Sequence, residues 1–155
     1  MSNAYRTTAV PVARSQEQIR KLLMAFGAAG VQFSENFTSG EINVRFAKSV
    51  AANLRTVSVS MHIPEPPPMR RRTMRGRGKS ADDRREQMAK ATYRALHDWL
   101  KAQFVAVEFG LLTFEDVFLS HFEWMIDGQQ TTVGKILIPR LETRPEFLIE
   151  RPHSN

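Results

Sequence analysis

The chain contains no cysteine. This absence excludes disulfide bonds and thiolate metal sites, and it removes any reason to assign the protein to an oxidising compartment. No apolar run in the 155 residues approaches the length that spans a bilayer, and the N-terminal stretch MSNAYRTTAVPVARSQEQ lacks the apolar middle of a signal peptide. We therefore expect a cytoplasmic protein without a membrane partner.

Catalytic signatures are also missing. The sequence has neither a G-x-S-x-G nucleophile motif nor a G-x-x-x-x-G-K-[ST] phosphate loop. RGRGKS, residues 75–80, resembles the second only superficially, because the first glycine is absent at the required spacing. A carboxylate nuclease using Glu35, Glu41 and Glu65 stays open, although nothing in their spacing favours it. We expect no catalytic residue, no cofactor and a non-enzymatic function.

A metal site has weak candidates in His121, Glu123 and Asp127, together with His62 or His97. Metal ligands on a helix usually lie three or four residues apart, so that they share one face. His121 and Glu123 are two residues apart and do not share a helical face. We interpret these side chains as surface polar residues beside an apolar helix, and we predict no metal.

What the sequence does have is a concentrated positive charge. The net charge of +6 arises from 22 basic and 16 acidic residues. Without the six bases between positions 70 and 79, the chain carries 16 of each sign, so the whole excess lies in one tract. Arginine presents forked donors that match phosphate oxygens, and a local concentration of bases attracts polyanions. We predict a nucleic-acid-binding site consisting of Arg70, Arg71, Arg72, Arg75, Arg77, Lys79, Arg84 and Arg85.

The tract lies in residues 64–79, PEPPPMRRRTMRGRGK, which we predict to be a mobile Pro/Arg-rich loop. Four prolines and six like charges leave little apolar area to bury. The loop ends where a long helix is predicted to begin, and the unpaired amides of a helix N-terminus add positive potential. Asp82 and Asp83 oppose that potential. The alternative is a solvated loop that serves only solubility.

The hydrophobic pattern predicts one α+β domain over residues 1–155. Ser15 and Gln18 have capping-box spacing, which predicts a first helix over residues 16–26. Alternating apolar residues predict three antiparallel strands, near 31–37, 42–46 and 57–63. In this pattern residues 47–55 form a loop, and three phenylalanines fall on or near the buried side: Phe33, Phe37 and Phe46.

The sequence predicts that the second half of the chain is mainly helical. Ser80 and Asp83 form a second capping-box pair and begin a long helix to about Glu108. A third pair, at Thr113 and Asp116, begins a short apolar helix. Further elements are a hairpin-type turn at Asp127-Gly128, a last helix capped by Thr132, and a loosely held tail over residues 142–155.

These elements predict a two-layer sandwich, with the helices on one face of the sheet. The other face should be polar, without an aromatic platform on which bases could stack. One helix, three strands and a second helix is also the order in double-stranded-RNA-binding domains, which is an analogy of fold only. Those domains are shorter, and their loop histidine and lysine cluster have no match here. The polar face would consist of Gln32, Ser34, Asn43, Arg45, Ser58, Ser60 and His62.

The stretch GLLTFEDVFLSHFEWMIDGQQTTVGKILIPRL, residues 110–141, is similar to short proteins of bacteriophages, prophages and other bacterial mobile elements. The opening YRTTAVPVARSQEQIRKLL and the Pro-rich, then Arg-rich, middle share this resemblance. It implies a phage-related setting inside a bacterial cell and supplies no activity. Two hypotheses follow. The protein binds nucleic acid through the basic loop, or it binds itself or a host or defence protein through residues 114–124 and the tail.

Overall fold

The computed structural model describes residues 5–66 and 80–143. It confirms the predicted order of a helix, a three-stranded antiparallel sheet and a long helix, and it adds a second, two-stranded sheet. The elements are α1 (Val12–Ala25), β1 (Gly30–Asn36), β2 (Glu41–Val50), β3 (Asn53–His62), α2 (Ala81–Glu108), α3 (Phe114–Phe118), a 3₁₀ turn (Leu119–His121), β4 (Glu123–Ile126), β5 (Gln129–Thr132) and α4 (Val133–Thr143).

The first sheet has one core face and one polar face. Along β2, Ile42, Val44 and Phe46 are buried, whereas Arg45 between them is exposed. This alternation follows from the two-residue period of a strand. Both long helices pack on the buried face, which confirms the predicted two-layer sandwich. The shared core contains Ile19 and Leu23 of α1, Val57 and Val59 of β3, and Tyr93, Leu96, Leu100 and Phe104 of α2.

Phenylalanine rings extend this core into the C-terminal third. Phe46 of β2 meets Phe104 of α2 edge-on with ring centroids 6.2 Å apart, and it meets Phe118 of α3 edge-on at 5.6 Å. Phe118 in turn lies 5.0 Å from Phe114. Such aromatic pairs add about 0.5–1.5 kcal/mol each beyond the area that they bury. The short helix α3 is therefore part of the main core.

Helix α1 begins earlier than predicted. Its N-cap is Pro11, and no side chain caps it. Ser15 lies inside the helix and is fully buried, and its hydroxyl has no hydrogen-bond partner among the described residues. Proline suits the start of a helix because its φ is fixed and it has no N–H to leave unpaired. The capping-box spacing at Ser15 was therefore coincidental.

The connection between β2 and β3 is shorter than predicted. Residues 47–50 continue β2, and β3 begins at Asn53. The turn consists of Ala51 and Ala52, with φ of 46° and 66°. Two consecutive left-handed residues match the twist of a β-hairpin, but Gly, Asn or Asp ordinarily occupy these positions. An Ala-Ala pair therefore carries no recognisable turn signal.

Phe37 does not follow the alternation that was predicted for it. Its side chain is 91% exposed, whereas Phe46 is buried. Strand β1 ends at Asn36, whose Oδ1 accepts hydrogen bonds from the backbone N–H groups of Thr38 and Ser39 at 3.0 Å each. Phe37 is therefore displayed in a fixed turn between β1 and β2.

The local signals of the C-terminal third are confirmed. Thr113 and Asp116 form a reciprocal capping box at α3. Asp127 and Gly128 form the β4–β5 turn, with φ of 50° and 77°. Helix α4 follows Thr132, as predicted. It packs closely on the 3₁₀ turn, because a Cβ added at Gly134 would lie 2.7 Å from the carbonyl oxygen of Ser120.

Two predicted segments fall largely outside the described residues. Residues 64–66 of the Pro/Arg-rich loop are described and form neither helix nor strand, whereas 67–79 lie outside. Residues 142 and 143 of the predicted tail belong to α4, and 144–155 lie outside the described residues. Within the described ranges, no helix has both the length and the apolar character needed to cross a bilayer.

The Ala51-Ala52 turn predicts a stabilising substitution. A left-handed conformation costs a residue with a Cβ about 1–2 kcal/mol, and glycine avoids that cost. Ala52→Gly should raise the free energy of unfolding by about 1 kcal/mol in urea denaturation. The matched control is Ala102→Gly, at an exposed position inside α2, which should lower the free energy of unfolding by about 1 kcal/mol. Equal losses in both variants would contradict the assigned turn.

Candidate nucleic-acid interface

Six of the eight predicted contact residues lie outside the described residues. They are Arg70, Arg71, Arg72, Arg75, Arg77 and Lys79. Arg84 and Arg85 lie near the start of α2. Arg85 is exposed, whereas Arg84 is half-buried, and its Nε is buried without a hydrogen-bond partner in the described part of the chain. The structure thus brings two of the eight predicted residues to one helix end.

The start of α2 is closed by its own cap. Ser80 Oγ accepts from the backbone N–H of Asp83 at 3.1 Å, and the Asp83 carboxylate accepts from the N–H of Ser80 at 3.0 Å. Asp82 adds a second carboxylate in the same turn. The capping box confirms the predicted helix start, but it also uses amides that an anion would need. The helix N-terminus therefore supports phosphate binding less than its position suggests.

A cleft of about 670 Å³ lies beside this helix end. It opens between the β1–β2 turn, the residues after β3, and the first turns of α2. Pro66 and Ala81, which lie on either side of the basic tract in sequence, both line it, as do Arg85 and the exposed Phe37. Described positions on both sides of the tract in sequence therefore share one surface.

The lining of this cleft is acidic. Four glutamates line it: Glu35, Glu41, Glu65 and Glu86. Among the described residues, Arg85 adds one basic side chain to the lining, and His62 adds an imidazole. Four carboxylates repel phosphate at close range. The described lining of this cleft therefore does not favour a polyanion.

Glu35 has a structural partner. Its Oε1 accepts a hydrogen bond from the hydroxyl of buried Tyr93 at 2.6 Å and a longer one from Gln16 at 3.5 Å. Burial raises the pKa of Tyr93, and the Glu35 carboxylate raises it further, so the hydroxyl remains a donor. Glu35 thus fixes α2 to the end of β1, a role that does not require nuclease chemistry.

The candidate metal ligands do not converge, whereas Glu35, Glu41 and Glu65 all line the cleft described above. In residues 5–66 and 80–143, no group of three or more His, Asp or Glu side chains could hold a metal ion. His121 meets the Trp99 ring edge-on at 5.6 Å, and His97 Nδ1 lies 2.7 Å from Asp98. Asp127 belongs to the β4–β5 turn.

The polar face of the sheet is as predicted in composition, but the C-terminal third covers part of it. Asn43 donates to the hydroxyls of Ser58 and Ser60 at 2.7 and 2.9 Å. Asn43 and Ser58 also line a small groove of about 240 Å³ together with Gln130 and Lys135. The sequence predicts an open face, because nothing local to the strands indicates that a hairpin lies over it.

An ion pair fixes that hairpin to the sheet. Arg45 Nε and Nη2 donate to the two carboxylate oxygens of Glu123 at 2.6 and 2.7 Å. Glu123 is only 11% exposed, and its hydrogen bond raises the pKa of Arg45. Forked arginine–carboxylate pairs are among the stronger charged contacts. The two residues are 78 positions apart, so spacing in the sequence offers no signal for the pair.

No family model, no curated protein and no solved structure matches the chain.

The Arg45–Glu123 pair predicts coupling between two distant substitutions. Arg45→Ala should lower the free energy of unfolding by about 2 kcal/mol, because it leaves the nearly buried Glu123 carboxylate without its partner. A double-mutant cycle with Glu123→Ala should give a coupling of about 1–3 kcal/mol. The control is the exposed Arg20–Glu17 pair, for which we expect about 0.5 kcal/mol or less. Equal coupling in the two pairs would show that the hairpin is not held in this way.

His121 predicts a loss of stability at mildly acidic pH. Burial lowers its pKa below the ordinary 6.5, against a backbone hydrogen bond at Ser58 that favours the charged form. The unfolded chain therefore binds the proton more readily, and stability falls as the pH drops below 6.5. Urea unfolding at pH 7.5 and pH 5.5 should show a smaller loss in His121→Asn than in the unmodified protein. An identical loss would assign the effect to other groups.

Proposed function

We propose that the protein binds nucleic acid without sequence preference, gripping phosphates through Arg70, Arg71, Arg72, Arg75, Arg77 and Lys79, with Arg84 and Arg85 at the start of α2. The observation that carries the proposal is the segregation of charge. All of the net charge of +6 lies in one tract of an otherwise balanced chain. Such a tract attracts polyanions far more strongly than the same charge spread over a surface.

The described surroundings sharpen this proposal. The cleft that Pro66 and Ala81 line carries four glutamates, and the start of α2 is capped by its own side chains. Binding by this surface in the absence of the tract is therefore not expected. The tract should account for nearly all of the affinity, and Arg85, which is exposed on the cleft, should add a single contact.

The sequence resemblance supports a setting for this activity. Proteins of phages and mobile elements act in the bacterial cytoplasm, where replication and recombination expose nucleic acid. We propose that setting for this chain, with binding to the phosphate backbone and not to particular bases. A backbone-directed grip has no need of a catalytic residue, a metal or a cofactor.

The second candidate function is binding to a protein, with the basic loop docking on an acidic patch. The predicted contact surface, residues 114–124, is only partly exposed in the structure. Phe114, Phe118 and Phe122 lie in the core and cannot meet a partner. Leu119 and Trp124, however, are 52% and 57% exposed. Their exposure favours a protein partner at this surface.

Salt-dependent binding tests the first proposal. If all six bases of the tract met phosphates, log affinity would fall with log salt with a slope of about −5 on duplex DNA and about −4 on a single strand. We expect fluorescence anisotropy with labelled oligonucleotides to give a smaller slope of the same sign. Changing Arg70, Arg71, Arg72, Arg75 and Arg77 to Ala should abolish most of the slope.

The matched control removes five charges elsewhere. Exposed Arg14, Lys21, Lys101, Lys135 and Arg140 changed to Ala give the same net charge as the tract variant. This control should keep its slope within about one unit of the unmodified protein. Absence of binding by the unmodified protein at low salt, or equal losses in both variants, would exclude the tract as the binding element.

A further inference from the structure

A second groove, of about 650 Å³, runs along the outer edge of β3. At one point this edge is bridged by the C-terminal third, where Val57 pairs with Phe122. Beyond that point the chain turns away and β4 pairs with β5 instead. The two strands part, and the space between them is the groove, which we call the β3–β4 groove. Its lining includes Leu54, Arg55, Leu119, Trp124, Met125 and Val133.

The β3–β4 groove displays large apolar side chains to solvent. Leu54, Trp124 and Met125 are 63%, 57% and 62% exposed, and Leu119 is 52% exposed. Trp and Met are enriched at the centres of protein interfaces, and a contiguous apolar patch marks an interaction site. By contrast, Phe122 at the base of the groove is buried. The groove is thus a continuation of the core that reaches the surface.

The backbone of this edge is also unpaired. Residues 53–56 of β3 pair with β2 on one side, and no strand of the described residues forms a ladder with them on the other, where β4 lies across the groove. Unpaired N–H and C=O groups on an edge strand are a template for an added strand. An extended apolar segment therefore fits the groove better than a helix does, because it satisfies both the side chains and the backbone.

The chain itself contains a segment of this kind. Residues 144–155 read RPEFLIERPHSN, in which Pro145 and Pro152 bracket a stretch of strand length. In an extended conformation Phe147 and Ile149 share one face, and Glu146 and Glu150 lie on the other. Phe147 and Ile149 suit an apolar groove, whereas Glu146 and Glu150 add negative charge.

The groove offers charge of the opposite sign. Arg55 lines it and has no ion pair with the described residues, and its guanidinium lies 5.9 Å from the centre of the Phe122 ring. Glu115 also lines the groove, whereas the carboxylate of Glu123 is already used by Arg45. A glutamate of the added segment can therefore pair with Arg55.

Residues 146–150 of one copy do not reach the β3–β4 groove of the same copy. Helix α4 meets the groove at its first residue, Val133, and it runs 11 residues to Thr143. That length is about 16 Å, whereas the four residues from Thr143 to Phe147 span at most about 14 Å. A return along α4 also requires a reversal after Thr143, and a four-residue turn ends within about 7 Å of its start. The reversal therefore leaves Phe147 of the same copy well short of Val133.

We infer that the β3–β4 groove binds residues 146–150 of a second copy of this chain as an added strand. Each copy offers one groove and one segment, so a two-fold pair exchanges two segments and closes without further growth. Phe147 and Ile149 contact Leu54, Trp124 and Met125, and Glu146 or Glu150 pairs with Arg55. This partner is independent of the proposed nucleic acid.

Sedimentation equilibrium of the full-length protein tests this inference. The unmodified protein should form dimers in a concentration-dependent manner, with no larger species. Trp124→Ala and the double variant F147D/I149D should each weaken dimerisation by about thirtyfold or more. The matched control is Phe109→Ala, since Phe109 is 79% exposed outside the groove, and it should dimerise normally. Circular dichroism should show the same fold in all variants.

A mixing experiment identifies the occupant. Trp124→Ala retains an intact segment, and F147D/I149D retains an intact groove, so an equimolar mixture should form heterodimers through one remaining exchange. A monomeric unmodified protein at all concentrations would overturn the inference. So would normal dimerisation by F147D/I149D, because it would mean that another surface occupies the groove. A mixture that associates no better than either variant alone would also contradict the exchange.

Discussion

The contact on which the rest of the structure depends is that of Phe46 with Phe104 and Phe118. It joins the middle strand of the sheet to the long helix and to the C-terminal third in one packed cluster. Because of this contact, the chain after Gly110 is not a separate appendage. It passes the edge of β3 at Phe122 and places the β4–β5 hairpin over the polar face, where Glu123 pairs with Arg45.

That packing separates two kinds of surface. One end of the molecule holds the cleft between the β1–β2 turn and α2, beside the sequence positions that carry the excess charge. The edge of β3 holds an apolar groove with an unpaired strand. The described lining of the first surface is acidic and does not favour a polyanion by itself. The second suits an extended apolar segment.

A dimer formed at the β3–β4 groove would present two basic tracts to one nucleic acid. The avidity of the dimer for that nucleic acid would then exceed the affinity of one copy.

Much of the fold could be predicted because its signals are local. The capping boxes at Ser80 and Thr113 and the alternation in β2 and β3 each depend on residues a few positions apart. The errors have physical causes too. Ser15 matched a cap but is buried in the core, and Ala51-Ala52 forms a tight turn without a turn residue.

The sites were less predictable than the fold. The basic tract is evident from the sequence alone, whereas the four glutamates of the acidic cleft come from β1, β2, the segment after β3, and α2. The Arg45–Glu123 pair and the β3–β4 groove likewise join residues that are far apart in sequence. Such features depend on the tertiary path of the chain, and periodicity cannot reveal them.

The central claim is that the tract grips phosphate. Calorimetric titration of the full-length protein with a DNA oligonucleotide, and with a peptide nucleic acid of the same base sequence, tests it most directly. The two ligands share their bases and differ in the charge of the backbone. We predict heat of binding with DNA at low salt and none with the uncharged analogue. Equal binding to both, or no binding to DNA, would contradict the claim.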